Sequence, residues 1–460
     1  MNSKILTVLF LITNLALSAQ TYWTGPSVNF SKGPLNISDS GRFLVHENGE
    51  PFFYLGDTAW ELFHRLNREE AEKYLENRRS KGFTVIQAVV LAEFNGLNEA
   101  NAYGDKPLFE NDVRKPNEKY FEHVDWVMKK AEEKGLYIGL LPTWGDKVDS
   151  QWGIGPEIFT VEAAAIYGSW IGNRYKDAPN IIWINGGDRS GGEDNTVVWN
   201  ALGDAIKSVD TTHLMTYHPW GGHSSSEWFH NEKWLDFNMM QSGHSDRFIP
   251  NFRQLTHDRG LEPAKPTLDG EPCYEEHAIN WNPEFGWFDD ADVRQMAYWG
   301  VLAGACGTTY GAHPIWQFYD EIRDPVTHAR IHWEKAMDLP GALQMMYVRK
   351  LIESRNWLEM VPANQIIKES QQGEKSTIMA VRGNDFAIIY APFTTTIRVN
   401  HEQLFGDAFK AWWYNPRTGN AEAIDVSKMG DRSAFSHTVT GIDWVLVIDA
   451  QSAGYGAPGS

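Results

Sequence analysis

The residues best suited to chemistry stand where two apolar runs stop. Ile181-Ile182-Trp183-Ile184-Asn185-Gly186-Gly187 leads into Asp188, and Pro266-Thr267-Leu268-Asp269-Gly270 leads into Glu271. Two carboxyl groups facing each other across one bond can hydrolyse an acetal between sugars. One, protonated, donates to the leaving oxygen; the other attacks the anomeric carbon or activates water. Gly186-Gly187 permits close backbone approach or unusual dihedrals just before the acid. Each carboxylate also has a plainer reading. Asp188 could cap a helix or pair with Arg189, and Glu271 could belong to a structural ion pair, with Asp269 competing two residues earlier.

Other apolar runs end the same way. Asp57 and Trp60 follow the first, Glu93 and Asn95 the second, Trp144 and Asp146 the third, His218 and Trp220 the fifth. Gln241 and His244 follow the sixth, Tyr274 the seventh, and His313 and Trp316 the eighth. Carboxylates supply acid and base, His and Gln bond hydroxyls, and Trp faces stack on sugar rings. Arg189, Arg247 and His244 are candidates for holding the acid group of a uronic neighbour. The histidines invite a metal reading through His218, His223, His244 and His313. HExxH is absent, and the first run opens with Gly56-Asp57-Thr58 rather than a His-x-His pair, so these side chains read as hydroxyl or structural partners, with no metal and no cofactor. A serine hydrolase lacks its Gly-x-Ser-x-Gly elbow.

The elements that must position these groups are regular. Eight apolar runs between Phe52 and Gly311 alternate with amphipathic segments, the pattern of βα units in a parallel sheet at the length of a (β/α)8 TIM barrel. Asn67–Gly82 carries an Asn cap, acidic first turn and closing Gly; Glu118–Gly135 carries Tyr120, Val124, Val127 and Ala131 on one face. A doubly wound open sheet would want a Gly-rich phosphate turn after the first strand, which Gly56-Asp57-Thr58-Ala59-Trp60 is not. A hairpin turning on Asn48-Gly49 precedes the barrel. Short strands with Gly, Asn and Pro turns between Ser376 and Ile448 indicate a small antiparallel β-sandwich.

Composition bounds the partners. The chain has 460 residues and a formal charge of −19, against nucleic acid and anionic membrane surfaces. Lys4 and the apolar run Ile5–Leu17, closed by Ser18-Ala19, read as a cleaved export signal, placing the protein in the periplasm or outside the cell; no later run is long enough for a membrane anchor. Cys273 and Cys306 read as buried free thiols. The 20 Trp, 17 Tyr and 23 Phe are an aromatic excess that suits a large core or a sugar cleft. The parts are a signal at 1–19, an N-terminal segment and hairpin at 20–51, the barrel at 52–360 and the sandwich at 361–460.

Ser40-Gly41-Arg42-Phe43-Leu44 with Asn48-Gly49-Glu50-Pro51-Phe52-Phe53-Tyr54-Leu55-Gly56-Asp57-Thr58-Ala59-Trp60 resembles the opening signature of the apiosidase-like barrel proteins, glycoside hydrolase family 140. Ile184–Asp188 and Asp269–Glu275 resemble that family's fourth- and seventh-strand motifs. The C-terminal part resembles the β-sandwich labelled collagen-binding in the same architecture. The resemblance implies a retaining glycosidase acting on an apiosyl linkage of the pectin rhamnogalacturonan II, with Asp188 as acid/base and Glu271 as nucleophile. Asp57, Trp60, Trp144, Arg189, His218, Gln241, His244, Tyr274, His313 and Trp316 are the expected substrate-binding residues. The alternatives are a barrel glycosidase for another plant polysaccharide and a non-catalytic glycan-binding barrel.

Overall fold

A computed structural model describes residues 22–368, 374–393, 396–405, 408–431 and 433–460. The segment read as a signal, residues 1–19, lies outside them. All eight apolar runs form strands: β1 Tyr54–Thr58, β2 Val85–Leu91, β3 Tyr137–Thr143, β4 Ile181–Gly186, β5 Met215–His218, β6 Asn238–Gln241, β7 Thr267–Asp269 and β8 Gly307–Tyr310. Parallel ladders join them in the order β8-β1-β2-β3-β4-β5, with β6 and β7 as a second parallel pair. Asp236 N–H donates to Met215 O (2.8 Å) and Cys306 N–H to Thr267 O (3.0 Å), which closes the two arcs into a barrel. The runs are apolar without alternation because helices cover one face and the barrel interior the other. Val85–Leu91 is buried at every position.

The helices start where local chemistry supplies a cap. Asn67 and Glu70 form a reciprocal capping box for Arg68–Ser80, and Asp289 with Asp292 does the same for Asp290–Leu302. Before the barrel, the hairpin of Leu44–His46 and Pro51–Phe52 turns on Gly49 at φ 83° and gains a third antiparallel strand, Leu35–Ile37.

Past the barrel, an antiparallel six-stranded sheet runs in the spatial order Val361–Pro362, Met379–Arg382, Phe386–Ala391, Trp444–Ala450, Phe409–Tyr414 and Ala421–Ile424. Strand alternation gives it two apolar faces. Phe386, Ile388 and Tyr390 join the barrel's core; Ala387, Ile389 and Ala391 pack under a two-stranded ribbon, Ile397–Arg398 with Ala434–Phe435. The barrel helix Asp290–Leu302 is therefore enclosed on both sides, and every residue from Asp292 to Leu302 is buried. Its Arg294 forks onto Asp443 of the sheet (2.8 and 3.0 Å), and Tyr298 stacks on Tyr390 with centroids 4.6 Å apart. Cys273 and Cys306 are both free and buried.

Alternation also corrects one expected site residue. Asp57 lies on the outward face of β1, is fully buried, and accepts hydrogen bonds from Arg78 Nε (2.5 Å) and the Tyr74 hydroxyl of the first barrel helix. It does not reach the barrel mouth. Removing the carboxylate leaves a buried guanidinium unpaired, so Asp57→Ala is expected to lower stability by roughly 3–5 kcal/mol in denaturant unfolding. The KM of the molecules that remain folded should stay near the parental value.

Candidate active site

A cleft of about 690 Å³ opens at the C-terminal ends of the strands, the range of small-ligand sites. Asp188 and Glu271 both line it. The chain leaves β4 through Gly186 (φ 90°), Gly187 (φ 118°) and Asp188 (φ 54°), three consecutive left-handed residues. A Cβ on Gly186 would lie 2.5 Å from His218 O and one on Gly187 2.9 Å from Gly145 N, so neither position admits a side chain. The turn is laced to its neighbours: Gly145 N–H donates to Gly187 O, and Gly187 N–H to His218 O, each at 3.0 Å.

Glu271 follows β7 and is held by two imidazoles. His244 Nε2 lies 3.0 Å from Oε1 in a hydrogen bond, and His218 Nε2 lies 3.0 Å from Oε2, at ion-pair distance but off hydrogen-bond alignment. The Asp188 amide donates to His218 Nδ1 (3.3 Å), which leaves the His218 proton on Nε2, facing Glu271. Burial alone would raise the Glu271 carboxyl; the two histidines override it and bring it down to about 2. Asp188 goes the other way. Burial first, then the charge of Glu271, raise it from 3.8 to about 6, against His218, Arg189 and the Trp152 indole N–H, which donates to Oδ2 at 3.0 Å. Two carboxyls in one cleft with values pushed apart are an acid and a base or nucleophile by environment. The competitor Asp269 is buried and accepts from Ser242 Oγ (2.7 Å) and Asn251 Nδ2 (3.0 Å), a brace for the β6 loop.

The other expected residues divide. Trp60, Trp144, Gln241, His244, Tyr274 and Trp316 line the cleft. Trp60 and Trp144 pack at 5.2 Å as its floor, and the Trp60 indole donates to the Tyr274 hydroxyl (3.1 Å). His218 is fully buried behind the carboxylates rather than in the wall. His313 is also behind it: Nε2 donates to Val326 O and Thr327 O (both 3.0 Å), and Nδ1 accepts from Trp316. Arg189 borders the cleft, but its N–H groups donate to the carbonyls of Asp149 (2.7 Å), Ser150 (3.0 Å) and Asp188 (2.7 Å), so it anchors the loop after β3 instead of awaiting an acid. Arg247 is likewise engaged, by Trp287 O and Asp292. His223, the remaining histidine of the metal reading, pairs with Glu227.

Three cleft residues, Glu93, His277 and Trp152, were not among the expected substrate-binding residues. Glu93 follows β2, ahead of Phe94 and Asn95 in left-handed conformations, and its carboxyl has no hydrogen-bond or ion-pair partner among the described residues. Burial, with Glu61, Asp146 and Asp188 pushing the same way, holds it well above the usual carboxylate range, which favours a neutral acid. His277 stacks on His244 and meets His313 edge to face, 4.4 Å from each. Trp152 stands 58% exposed at the rim. Position after a strand was a signal for Glu93, and the excess length of the Gly145–Phe159 loop was one for Trp152 as a cleft wall; His277 sits mid-loop, where periodicity is silent.

Residues 38–359 match a family model described as "Apiosidase-like, catalytic domain", and residues 361–449 one described as "Putative collagen-binding domain of a collagenase". A solved structure described as a glycoside hydrolase is 36% identical, with a TM-score of 0.85 over 92% of this chain and 98% of the other. A glycoside hydrolase of family 5 from Bacteroides vulgatus ATCC 8482 is 33% identical, with a TM-score of 0.87 over 94% of this chain and 96% of the other. No curated protein matches.

The raised Asp188 value carries a stability consequence. Its folded-state value lies above the unfolded one, so the ionised carboxylate opposes folding as pH rises past 3.8, and the penalty levels off above about 6. Asp188→Asn is expected to stabilise the protein by up to about 2–3 kcal/mol at pH 8 and by nothing at pH 3, read from denaturant unfolding at both.

Proposed function

The chain belongs to the apiosidase-like family of glycoside hydrolases, and we propose that it cleaves an apiosyl linkage in the side chains of rhamnogalacturonan II, as a family 140 enzyme, with retention. Asp188, protonated, donates to the leaving oxygen while ionised Glu271 attacks the anomeric carbon. A glycosyl ester forms and the aglycone departs with the proton. Asp188, now ionised, takes a proton from water, which attacks the same carbon and releases Glu271. The observation that carries this reading is the pair of imidazole contacts on Glu271, which keep a buried carboxylate ionised beside an acid that stays protonated. Retention follows the resemblance to family 140, in which a carboxylate in the place of Glu271 is the nucleophile.

The substrate reading rests on charge. The arginine bordering the cleft is engaged by carbonyls, and the lining is aromatic with Glu93, Asp188 and Glu271 as its acids. An uncharged sugar such as apiose suits such a wall, and a uronate does not; this replaces the expectation that Arg189 and Arg247 hold an acid group. The leader read at residues 1–19 would bring the enzyme to a polymer outside the cytoplasm.

Four outcomes test the reading. Incubated with rhamnogalacturonan II oligosaccharides, the protein should release a product with a new apiose reducing end. Cleavage of a xylan or arabinan panel instead would keep the chemistry and reject the substrate. The kcat/KM profile should be flat between about 2 and about 6, because Glu271 must be ionised and Asp188 protonated, and should fall above about 6. Glu271→Gln should abolish turnover on every leaving group while ligand affinity persists. Asp188→Asn should cost on the order of 10²–10⁴ with a sugar leaving group and remove the alkaline limb. A protein that binds the oligosaccharide and never turns it over would be a lectin-like barrel.

A further inference from the structure

We propose that Trp152, Trp220 and the glycine ledge beside them form the subsite for the leaving-group sugar, and that Trp152 positions the acid it touches. The inference rests on Asp188 being the proton donor. A general acid must sit against the leaving oxygen, so the surface continuing outward from its carboxyl contacts the aglycone. At Asp188 that surface is Trp152, whose Nε1–H donates to Oδ2 at 3.0 Å. The Trp152 ring lies almost parallel to Trp220 (centroids 5.8 Å apart, 8° between planes) and carries the Arg189 guanidinium 4.3 Å from its centroid.

Aromatic rings continue away from the acid. Trp220 meets His223 at 5.3 Å, and His223 stacks on Trp228 at 5.7 Å. The His244 ring, which bonds Glu271, packs instead against Tyr274, His277 and Trp281 and makes none of these contacts. The floor tryptophans also differ: Trp60 and Trp144 are 2% and 5% exposed, whereas Trp152 is 58% exposed. Beside the strip the chain is bare. A Cβ built on Gly221 or Gly222 meets nothing within 4 Å, and both border the cleft. Flat apolar faces next to an open ledge suit the apolar face of a pyranose or furanose ring, which stacks on indole and leaves its hydroxyls in water.

The test compares two substrates of the enzyme: the oligosaccharide it cleaves, and an aryl glycoside of the same sugar, whose leaving group needs neither a proton nor a sugar subsite. Gly221 is outside the left-handed region, so Gly221→Leu fills the ledge without backbone strain. Trp152→Ala and Gly221→Leu should each lower kcat/KM for the oligosaccharide at least about tenfold more than for the aryl glycoside, about 1.4 kcal/mol. Trp152→Phe keeps a ring and loses the N–H that stabilises the ionised acid. It should hold the oligosaccharide KM near parental and move the alkaline limb of the pH profile upward. Equal losses on both substrates, or none, would overturn the subsite. Asp188→Asn separates the two failures: if it leaves oligosaccharide cleavage at the parental rate, the assignment of the acid falls and the subsite with it. If it removes cleavage while the Trp152 and Gly221 variants do not discriminate, the acid stands and the subsite alone is wrong.

Discussion

Everything at the barrel mouth depends on keeping one buried carboxylate charged. Glu271 is taken out of water, which by itself would neutralise it. His244 and His218 prevent that from two sides, each 3.0 Å away. The His218 imidazole is not free to turn, because its Nδ1 accepts the amide of Asp188. That amide points at His218 only because Gly186, Gly187 and Asp188 all adopt positive φ. The left-handed turn after β4, the ring at the end of β5 and the carboxylate after β7 are thus one construction. The same turn that aims Asp188 also orients the group that keeps Glu271 ionised, and the charge on Glu271 in turn helps hold Asp188 protonated.

The aromatic excess has a physical division of labour. Trp60, Trp144 and Trp316 are buried and close the floor; the Trp60 indole N–H donates to the Tyr274 hydroxyl and that of Trp316 to His313 Nδ1. A dry floor lowers the local dielectric and strengthens each charge contact around Glu271. Other tryptophans serve the second domain's attachment: Trp299 donates to Thr377 O (2.8 Å), on a barrel helix that the C-terminal sheet encloses. The bidentate pairs Arg294–Asp443 and Arg355–Asp449 lock the two parts together in desolvated surroundings, which fixes the helix that follows β7.

Much of this was legible in the chain. The eight strands were, because a strand buried on both faces must be apolar throughout, and no tertiary knowledge is needed to see it. Asp188 and Glu271 were legible as carboxylates after such runs. The roles that failed to show are those set by a partner far along the chain. Asp57 and Glu271 look alike in sequence; only strand parity and Arg78, 21 residues on, turn Asp57 outward. Arg189 reads as a free cation until the loop after β3 folds over it and engages its donors with three carbonyls. His218 and His313 read as hydroxyl ligands, yet both act one layer back. The edge strand Ala421–Ile424 escaped because half-exposed Ala and Glu give no period; the helix Asp290–Leu302 was legible from Val293, Ala297 and Val301, but not the burial of its remaining face, which the second domain covers.

The charge of −19 looks at first like an obstacle to the proposed pectic substrate, an acidic polymer. The cleft resolves part of it. Glu93 and Asp188 both have their carboxyls raised by burial and by neighbouring acids, so the mouth carries less negative charge than its residue types suggest. Each added carboxylate there makes the next harder to ionise, which is a self-limiting field. Crowding acids into one cleft is therefore a way of producing neutral ones, and neutral acids are proton donors. The construction needs one exception, a group that stays ionised among them, and the two histidines on Glu271 supply it.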